Sequence, residues 1–397
     1  MASEIKYYPV DNGDQSLITV EENAQITHIT IDCNIRELSK DDLDKSKFDV
    51  KKDLLKVLKR KRVGEIKDVS YTDIFILTHG DEDHLLGFEK NYYQGDPKNY
   101  KQKHKDDGQI FIDVLWFSPM VMGTATNDDE KCFNKEAKRR IQLHRDKSKD
   151  KDLPGNRIVI IGNDANEDLS GLDLVRKCPG DVVTRFNERD LKTFSIFIHS
   201  PYQQHLTDEE VDKNRVSIVF QARFKSTAES KEFCSLAMFG GDSDHHAWKT
   251  ILEKTKKYNN HVEEKALDWH LFLAPHHCSW SFFNDTPQED NPTPVSTSLE
   301  ILDFKKSGAK VIASSKVIKD NLDNPPHYQA KREYIKKLDN SSDFFNTAIE
   351  PKESAPEPIV FEVSLTGFTK VKSKSSEKLA AALSVASSAI IKKPWAR

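Results

Sequence analysis

The stretch that decides the fold is IFILTHGDEDHLLGFEK, residues 74–90. Its first four residues are apolar with no polar alternation, which predicts a short, fully buried strand. Two imidazoles and two carboxylates follow within six residues: His79, Asp81, Asp83 and His84. Side chains two residues apart in an extended turn point the same way, so His79 and Asp81 could share one metal ion. Asp83 and His84 could then hold a second ion, because a rigid strand end is a good place for ligands.

Composition bounds the class of protein. Of the 397 residues, 31% are charged and 37% hydrophobic, and the net charge is −4. These values favour a soluble globular protein with one large domain or two ordinary ones, and they provide no global basic field for nucleic acid. We expect no signal peptide after Met1 and no membrane span, because the apolar run at 379–391 is too short. Five scattered cysteines without CxxC spacing favour a reducing, cytoplasmic location.

Three further apolar strands end in candidate ligands. Residues 194–198 run into His199, residues 233–239 run into a Gly-Gly pair and Asp242, and residues 270–274 run into PHHCSW, 275–280. Taken alone, His199 is more typical of a structural histidine at a strand end. Asp244, two residues after Asp242, is a plausible N-cap for the next helix. Within 275–280 the sequence does not choose between His276 and His277.

The spacing His-x-Asp-x-Asp-His at 79–84 resembles the His-x-His-x-Asp-His signature of the metallo-β-lactamase superfamily. Asp81 replaces the second histidine, a form typical of the metallo-β-lactamase domain of ComEC-type competence proteins. The resemblance covers roughly residues 5–330, and Cys278 stands where that family has Gly. The other segments that carry it, in chain order, are VDNGDQSLI (10–18), ITIDCN (29–34), NRVSIVF (214–220), MFGGDSD (238–244) and PHHCS (275–279).

This resemblance implies an α/β fold, the αβ/βα metallo-β-lactamase-like sandwich, with two sheets packed face to face and helices outside. The catalytic domain would cover 1–330, with charged surface insertions at about 91–109 and 127–152. Residues 331–397 would add a helix, a strand pair and a tail that is either disordered or a short amphipathic helix. Separately, leucines at helical spacing predict a helix over about 50–61. Its basic face is expected to be solvated, with contact to a phosphate backbone as the alternative.

The resemblance also implies a set of site residues. The turns at 10–18 and 29–34 would support the site from below. Two divalent ions, Mn²⁺ or Zn²⁺, would be bridged by Asp242, and the oxygen-rich shell favours Mn²⁺. Asp83 would also orient water, and His327 would contact a substrate phosphate or donate a proton to the leaving group, unless it only starts a helix. The remaining ligands would be His79, Asp81 and His199 for one ion, and Asp83, His84 and His276 for the other.

Such a centre gives hydroxide near neutral pH and clamps both the attacking and the leaving oxygen at phosphorus. The sequence therefore predicts a metal-dependent phosphodiesterase, most simply a nuclease that hydrolyses DNA. One alternative is hydrolysis of a small or cyclic nucleotide, which a deep closed pocket would favour. The other is a non-catalytic metal-binding protein that acts through a protein partner.

Overall fold

Two β-sheets with helices on their outer faces form the protein. Helix makes up 28% and strand 30%, so the predicted α/β class is confirmed. All five cysteines are free thiols. The tail at 373–397, predicted as disordered or helical, lies outside the described residues. The computed structural model describes residues 2–44, 47–162, 169–206, 213–258, 260–261, 265–287, 290 and 292–372.

The strands are numbered in chain order. They are β1 (Glu4–Tyr7), β2 (Ser16–Glu22), β3 (Gln25–Ile31), β4 (Cys33–Asn34), β5 (Arg60–Val63), β6 (Ile66–Ile76), β7 (Phe111–Phe117), β8 (Arg157–Ile161), β9 (Arg176–Lys177), β10 (Val182–Val183), β11 (Arg185–Phe186), β12 (Arg189–Asp190), β13 (Phe194–Ser200), β14 (Val219–Phe224), β15 (Ser235–Phe239), β16 (Trp269–Leu273), β17 (Lys305–Ala313), β18 (Phe344–Asn346), β19 (Ile359–Ser364) and β20 (Gly367–Lys370).

The first sheet has the order β20-β19-β1-β2-β3-β6-β7-β8-β9, and β5 pairs with β6 as a hairpin. The strands from β3 to β9 in this order run parallel. The second sheet has the order β10-β13-β14-β15-β16-β17-β18, and β11 and β12 form a separate small hairpin. Its strands β15, β16, β17 and β18 are parallel. Ligands collect beyond the carboxyl ends of parallel strands in such sheets, and the candidate residues follow β6, β15 and β16.

The helices are also numbered in chain order. They are α1 (Lys40–Asp44), α2 (Val50–Val57), α3 (Glu82–Leu85), α4 (Phe88–Asn91), α5 (Gln102–Asp106), α6 (Asp128–Arg145), α7 (Gln203–Leu206), α8 (His245–Lys257), α9 (Ser296–Asp303) and α10 (Tyr328–Lys337). Among the described residues, no helix has both the length and the apolar character needed to cross a membrane.

One continuous core lies between the two sheets. It joins Ile74 and Ile76 of β6 to Ile196 and Ile198 of β13. Because side chains alternate along a strand, Phe75 points to the other face. There it belongs to a second core that includes residues of α2, α4 and α6. A third core joins the outer face of the second sheet to α8, α9 and α10. The layers therefore run helix, sheet, sheet, helix, which is compatible with the predicted sandwich.

Two sequence expectations about charged segments are wrong. Residues 127–152 are not a surface insertion, because α6 buries Phe133, Ala137 and Ile141 against the first sheet. These positions are four residues apart, so they form one apolar stripe on an otherwise charged helix. The basic helix predicted over 50–61 ends at Val57, and residues 60–63 continue as the strand β5.

The two remaining segments contain ordered structure. Within 91–109, Tyr93 and Tyr100 are buried and pack beside Phe111 of β7. The segment after residue 330 contains the expected strand pair. Its strand β19 pairs with β1, Glu4 lying opposite Glu362, so this pair extends the first sheet.

Candidate metal centre

The first motif folds back on the end of β6. Asp81 has extended backbone angles and directly precedes the short helix α3, which carries Asp83 and His84. The chain therefore reverses after His79, and the ring centroids of His79 and His84 lie 4.0 Å apart. His79 and His84 are buried, whereas the side chains of Asp81 and Asp83 are 37% and 39% exposed. One wall of the group thus faces solvent.

Asp242 reaches the same place from the end of β15. Gly241 before it has φ +50°, and a Cβ there would lie 3.0 Å from Ser217 Cβ and 3.2 Å from Thr78 Cβ. Glycine permits both this backbone conformation and the close approach. The Asp242 N–H donates to Ser217 Oγ at 3.2 Å, and the Asp242 carboxylate is buried.

The turn after β16 supplies two more imidazoles. His276, His277 and Cys278 have φ of +49°, +54° and +69°, so three successive non-glycine residues are left-handed. This unusual path directs both imidazoles toward Asp242, whose Oδ2 lies 3.7 Å from His276 Nε2 and 3.5 Å from His277 Nε2. The His276 N–H donates to Gly241 O at 3.0 Å and ties the turn to the loop after β15.

We call Asp83, His84 and His277 the second donor set. His277 Nε2 lies 3.0 Å from Asp83 Oδ2 and 3.3 Å from His84 Nε2. His84 Nε2 lies 3.0 Å from Asp242 Oδ1. Four ligands at about 2.05 Å on the corners of a tetrahedron are separated by about 3.3 Å. The set, together with Asp242, therefore has the spacing of a tetrahedral metal site.

We call His79, Asp81 and His276 the first donor set. His79 Nε2 lies 3.6 Å from Asp81 Oδ2 and 3.6 Å from Asp242 Oδ2. His276 Nε2 lies 3.7 Å from the same oxygen of Asp242. This set is slightly wider than the second, and Asp242 is common to both.

Behind the ligating atoms, further polar groups hold the two histidines of the second set. Asp32 Oδ2 lies 2.8 Å from His84 Nδ1, and Asp32 also accepts hydrogen bonds from Thr78 N and Oγ1, each at 2.7 Å. His277 Nδ1 lies 3.1 Å from Ser314 O. When these Nδ1 atoms carry the protons, both Nε2 atoms present lone pairs to a metal, as in many metal sites. Asp32 therefore supports the site from behind, as the resemblance implies.

Asp14 takes part from the same side. Asp14, His84, Asp242 and His277 offer buried donor atoms within 4.8 Å of one another, and this cluster could hold a metal ion. Asp14 Oδ1 lies 3.8 Å from His277 Nδ1, however, on the side away from Asp83. Asp14 thus stands behind His277, and Asp83 is the better ligand. Gly13 beside it comes so close that a Cβ would lie 2.6 Å from Asp83 O.

The electrostatics of the cluster demand positive charge at its centre. Burial alone would lower the pKa of His277, but Asp242 and Asp83 raise it to about 10. Burial would likewise raise the pKa of Asp242, yet His277, His84 and His79 hold it well below its usual range. The pKa of Asp14 rises to about 6, chiefly because the group is buried. In the metal-free protein protons supply this charge, and a divalent cation can replace them.

Two orphaned atoms show that the residues fit a metal. His79 Nε2 and Asp242 Oδ1 are buried, and neither has a well-formed hydrogen bond within the described part of the chain. A buried polar atom without a partner costs free energy, and both atoms belong to the donor sets. Imidazole and carboxylate are also ligands that Zn²⁺ and Mn²⁺ accept. We read the two atoms as ligands.

The structure places His199 elsewhere, so its assignment as a ligand is corrected. Ile196 and Ile198 face the core between the sheets, and His199 points to the opposite face of β13. Its Nε2 lies 2.9 Å from Ala266 O, and its ring packs 4.7 Å from the ring of Phe197. Burial and the nearby charge of Arg223 lower the pKa of His199 to about 3. His199 is therefore a neutral structural histidine, and His276 lies in the first donor set.

His327 is the N-cap residue of α10, and its Nδ1 accepts the N–H of Gln329 at 3.2 Å. Its own N–H donates to Cys278 O at 2.9 Å, so it lies against the turn that carries His276. The helix-start role is thus observed, and the proton-donor role stays a prediction.

A separate group of donors lies at the start of α8, where Asp244 is the N-cap as predicted. His245 Nε2 lies 2.9 Å from Asp285 Oδ1, and His246 Nε2 lies 2.6 Å from Asp285 Oδ2. These three side chains also lie close enough together to hold an ion, but Asp285 is 59% exposed. They share no residue with the two donor sets.

Sequence reasoning missed two residues at the centre. His277 was left undecided, because its position depends on the left-handed path of the turn. Lys213 was not singled out, although its Nζ lies 3.6 Å from Asp81 Oδ1 and 3.1 Å from Glu130 Oε1. It lies in a charged stretch far from the motif along the chain, so no local pattern could have marked it.

Comparison with known proteins adds no name to this geometry. No protein-family model matches the sequence, and no curated protein matches it either.

Proposed function

We propose that the chain is a metal-dependent phosphodiesterase of the metallo-β-lactamase type, acting on nucleic acid and most simply on DNA. The observation that carries the proposal is the position of Asp242. Its Oδ1 faces His84 of the second donor set, and its Oδ2 faces His79 and His276 of the first. A carboxylate placed in this way can bridge two divalent ions, Zn²⁺ or Mn²⁺. The order of the layers and the strand ends that carry the ligands support this reading.

When bound, two such ions supply Lewis-acid polarisation of a phosphoryl group and activation of water. The chain's own residues then divide the remaining work. Asp83 is partly exposed beside the buried His277, so it can orient a water that enters from solvent. Lys213, next to Asp81, places a positive charge where an anionic phosphate approaches the first donor set. His327 lies behind the turn of His276 and is the candidate proton donor.

The shape of the centre favours a polymer over a small nucleotide. The cavity that touches His79, Gly80 and Lys213 has a volume of about 50 Å³. Pockets that enclose small molecules measure roughly 300–1,000 Å³. Asp81 and Asp83 are more than one-third exposed, so the centre opens at the surface. A phosphodiester of an extended strand can reach such a shallow centre, whereas a mononucleotide would find little enclosure.

The test is hydrolysis by the metal-stripped full chain after Mn²⁺ or Zn²⁺ is added back. Substrates are single-stranded DNA, double-stranded DNA, RNA, a cyclic dinucleotide and a chromogenic phosphodiester. Asp83→Ala should abolish cleavage, and Asp285→Ala, a change of the same kind at the separate donor group, should not. Metal-dependent cleavage of a polymer with this pattern supports the proposal.

Two results would contradict it. Cleavage of the cyclic dinucleotide alone would assign the site to small nucleotides. An absence of turnover with two ions bound per chain would favour a non-catalytic metal-binding protein.

A further inference from the structure

The largest cavity described in the protein lies far from the metal centre. It has a volume of about 690 Å³ and opens where β6, β7 and β8 begin. The β5–β6 hairpin forms one wall, and the tip of the β11–β12 hairpin reaches over it. Tyr71 on the wall precedes Ile76 by five residues, which is roughly 16 Å along a strand. The candidate ligands lie beyond Ile76, so a molecule in this cavity is out of reach of Asp242.

The cavity is rich in positive charge. Seven of its nineteen lining residues are Lys or Arg, and two are acidic. Lys59 and Lys61 share a single buried carboxylate, that of Asp73. Arg157 is paired with Asp113 and Glu188. The carboxylates of the region are therefore already engaged.

Two guanidinium groups are held only by neutral oxygens. Arg189 donates to Thr27 Oγ1 at 2.7 Å and to Gln25 Oε1. Arg60 donates to Ser70 Oγ and to Leu55 O. No carboxylate pairs with either arginine among the residues that the structure describes. Guanidinium groups bind phosphate bidentately, and a charged acceptor makes a stronger bond than a neutral one.

The charges of the cavity also act against one another. Lys59 is mostly buried, with 18% of its side chain exposed. Burial lowers its pKa, and the charges of Lys61 and Arg189 add to this effect, although Asp73 opposes it. A bound anion would relieve this repulsion, so the cavity is prepared for negative charge rather than neutral in balance.

The geometry points to a binding site for a phosphorylated small molecule of nucleotide size. Its phosphates would exchange for the neutral oxygens on Arg60 and Arg189, and its less polar part would lie against Ile26, Val63 and Leu153. The volume is within the range of small-molecule sites. Asn187, at the tip of the β11–β12 hairpin, bonds to Asp73 across the cavity, which favours a small ligand over a polymer track. The site is independent of the proposed hydrolysis.

The test is titration calorimetry on the full chain with ATP, ADP, adenosine and inorganic phosphate as probes. Metal-free Asp242→Asn protein is used, so that the metal centre contributes nothing. We expect one ATP or ADP per chain and no binding of adenosine. Arg189→Gln should weaken ATP binding roughly ten-fold or more, the effect of one lost charge-assisted bond. Arg332→Gln, the same change at an exposed residue of α10 outside the cavity, should leave affinity unchanged.

Several outcomes would overturn the inference. They are an absence of ATP and ADP binding, equal binding of adenosine, and equal affinities for Arg189→Gln and Arg332→Gln. A short single-stranded DNA that binds through Arg189, when mononucleotides do not, would instead assign the cavity to a polymer. Because hydrolysis is measured separately, a failed titration leaves the proposed function standing, and lost hydrolysis leaves this site standing.

Discussion

Asp32 Oδ2 lies 2.8 Å from Nδ1 of His84, with both side chains fully buried. The same carboxylate accepts two hydrogen bonds from Thr78, so its position is fixed from three directions. Because the carboxylate requires a proton on Nδ1, Nε2 of His84 is left free to bind a metal and faces Asp242 at 3.0 Å. Asp32 thus selects the tautomer that a ligand needs.

This relationship predicts the effect of Asp32→Asn. The new amide can turn its N–H toward His84 Nδ1 and so favour the tautomer with a proton on Nε2. Loss of such a supporting group typically costs about 10- to 100-fold in metal affinity. Competition against a chromophoric chelator measures the change. Asp11→Asn, at a carboxylate that pairs with Arg36 and Lys47, is the control and should have wild-type affinity. Wild-type affinity in Asp32→Asn would contradict the assignment.

The two neighbouring histidines should control different ions. His277 contacts Asp83 and His84 of the second donor set, whereas His276 approaches Asp242 from the side of His79. We expect His277→Ala and His276→Ala each to retain one ion per chain, measured by elemental analysis after dialysis. In the double variant with Asp81→Ala, His276→Ala should still hold its single ion, and His277→Ala should hold none. Identical metal content in both double variants would show that the two histidines serve one site.

Cys278 occupies a conformation that suits glycine. Its φ is +69°, and a left-handed conformation costs a non-glycine residue roughly 1–2 kcal/mol. Cys278→Gly should therefore unfold with a free energy about 1 kcal/mol higher than Cys278→Ala, since both lose the buried thiol and only alanine keeps a Cβ. Urea unfolding with a chelator present measures the difference. In ordinary strands and helices alanine is the more stable residue, and that order here would contradict the backbone path.

The contrast between His79 and His199 shows what the sequence could and could not establish. His79 belongs to a contiguous motif, so the strand and the turn that place its neighbours are all local. His199 also follows an apolar strand, but its side chain occupies the outer face. A shift of one residue reverses the face of every side chain in a strand, and an apolar run buried on both faces carries no alternation to reveal it.

Other features needed information that is not local in the sequence. The choice between His276 and His277 rests on three left-handed residues, which no propensity predicts for His-His-Cys. Lys213 meets Asp81 only through the fold. For α6 the signal was present: Phe133 and Ala137 are four residues apart, but the many charges around them concealed the stripe.

His199 should make the fold sensitive to acid. Burial and Arg223 lower its pKa from 6.5 to about 3. The unfolded chain therefore binds a proton as pH falls below 6.5, while the folded chain does not until about pH 3. The contribution to stability is complete above pH 6.5 and declines below it, by about 2 kcal/mol at pH 5.

We expect His199→Gln to reduce the loss of unfolding free energy between pH 7 and pH 5 by about that amount, as measured with urea. Its metal content should equal that of the wild type. An unchanged pH dependence would refute the neutral structural role, and a lost ion would restore His199 as a ligand.

The central claim is that Asp242 bridges two metal ions, and electron paramagnetic resonance of protein loaded with Mn²⁺ tests it most directly. Two Mn²⁺ ions about 3.5–4 Å apart and joined by a carboxylate are magnetically coupled. The account predicts two ions per chain with a coupled spectrum in the wild type, and loss of the coupling in Asp242→Asn. One ion per chain, or two ions with the spectrum of isolated Mn²⁺, would contradict it.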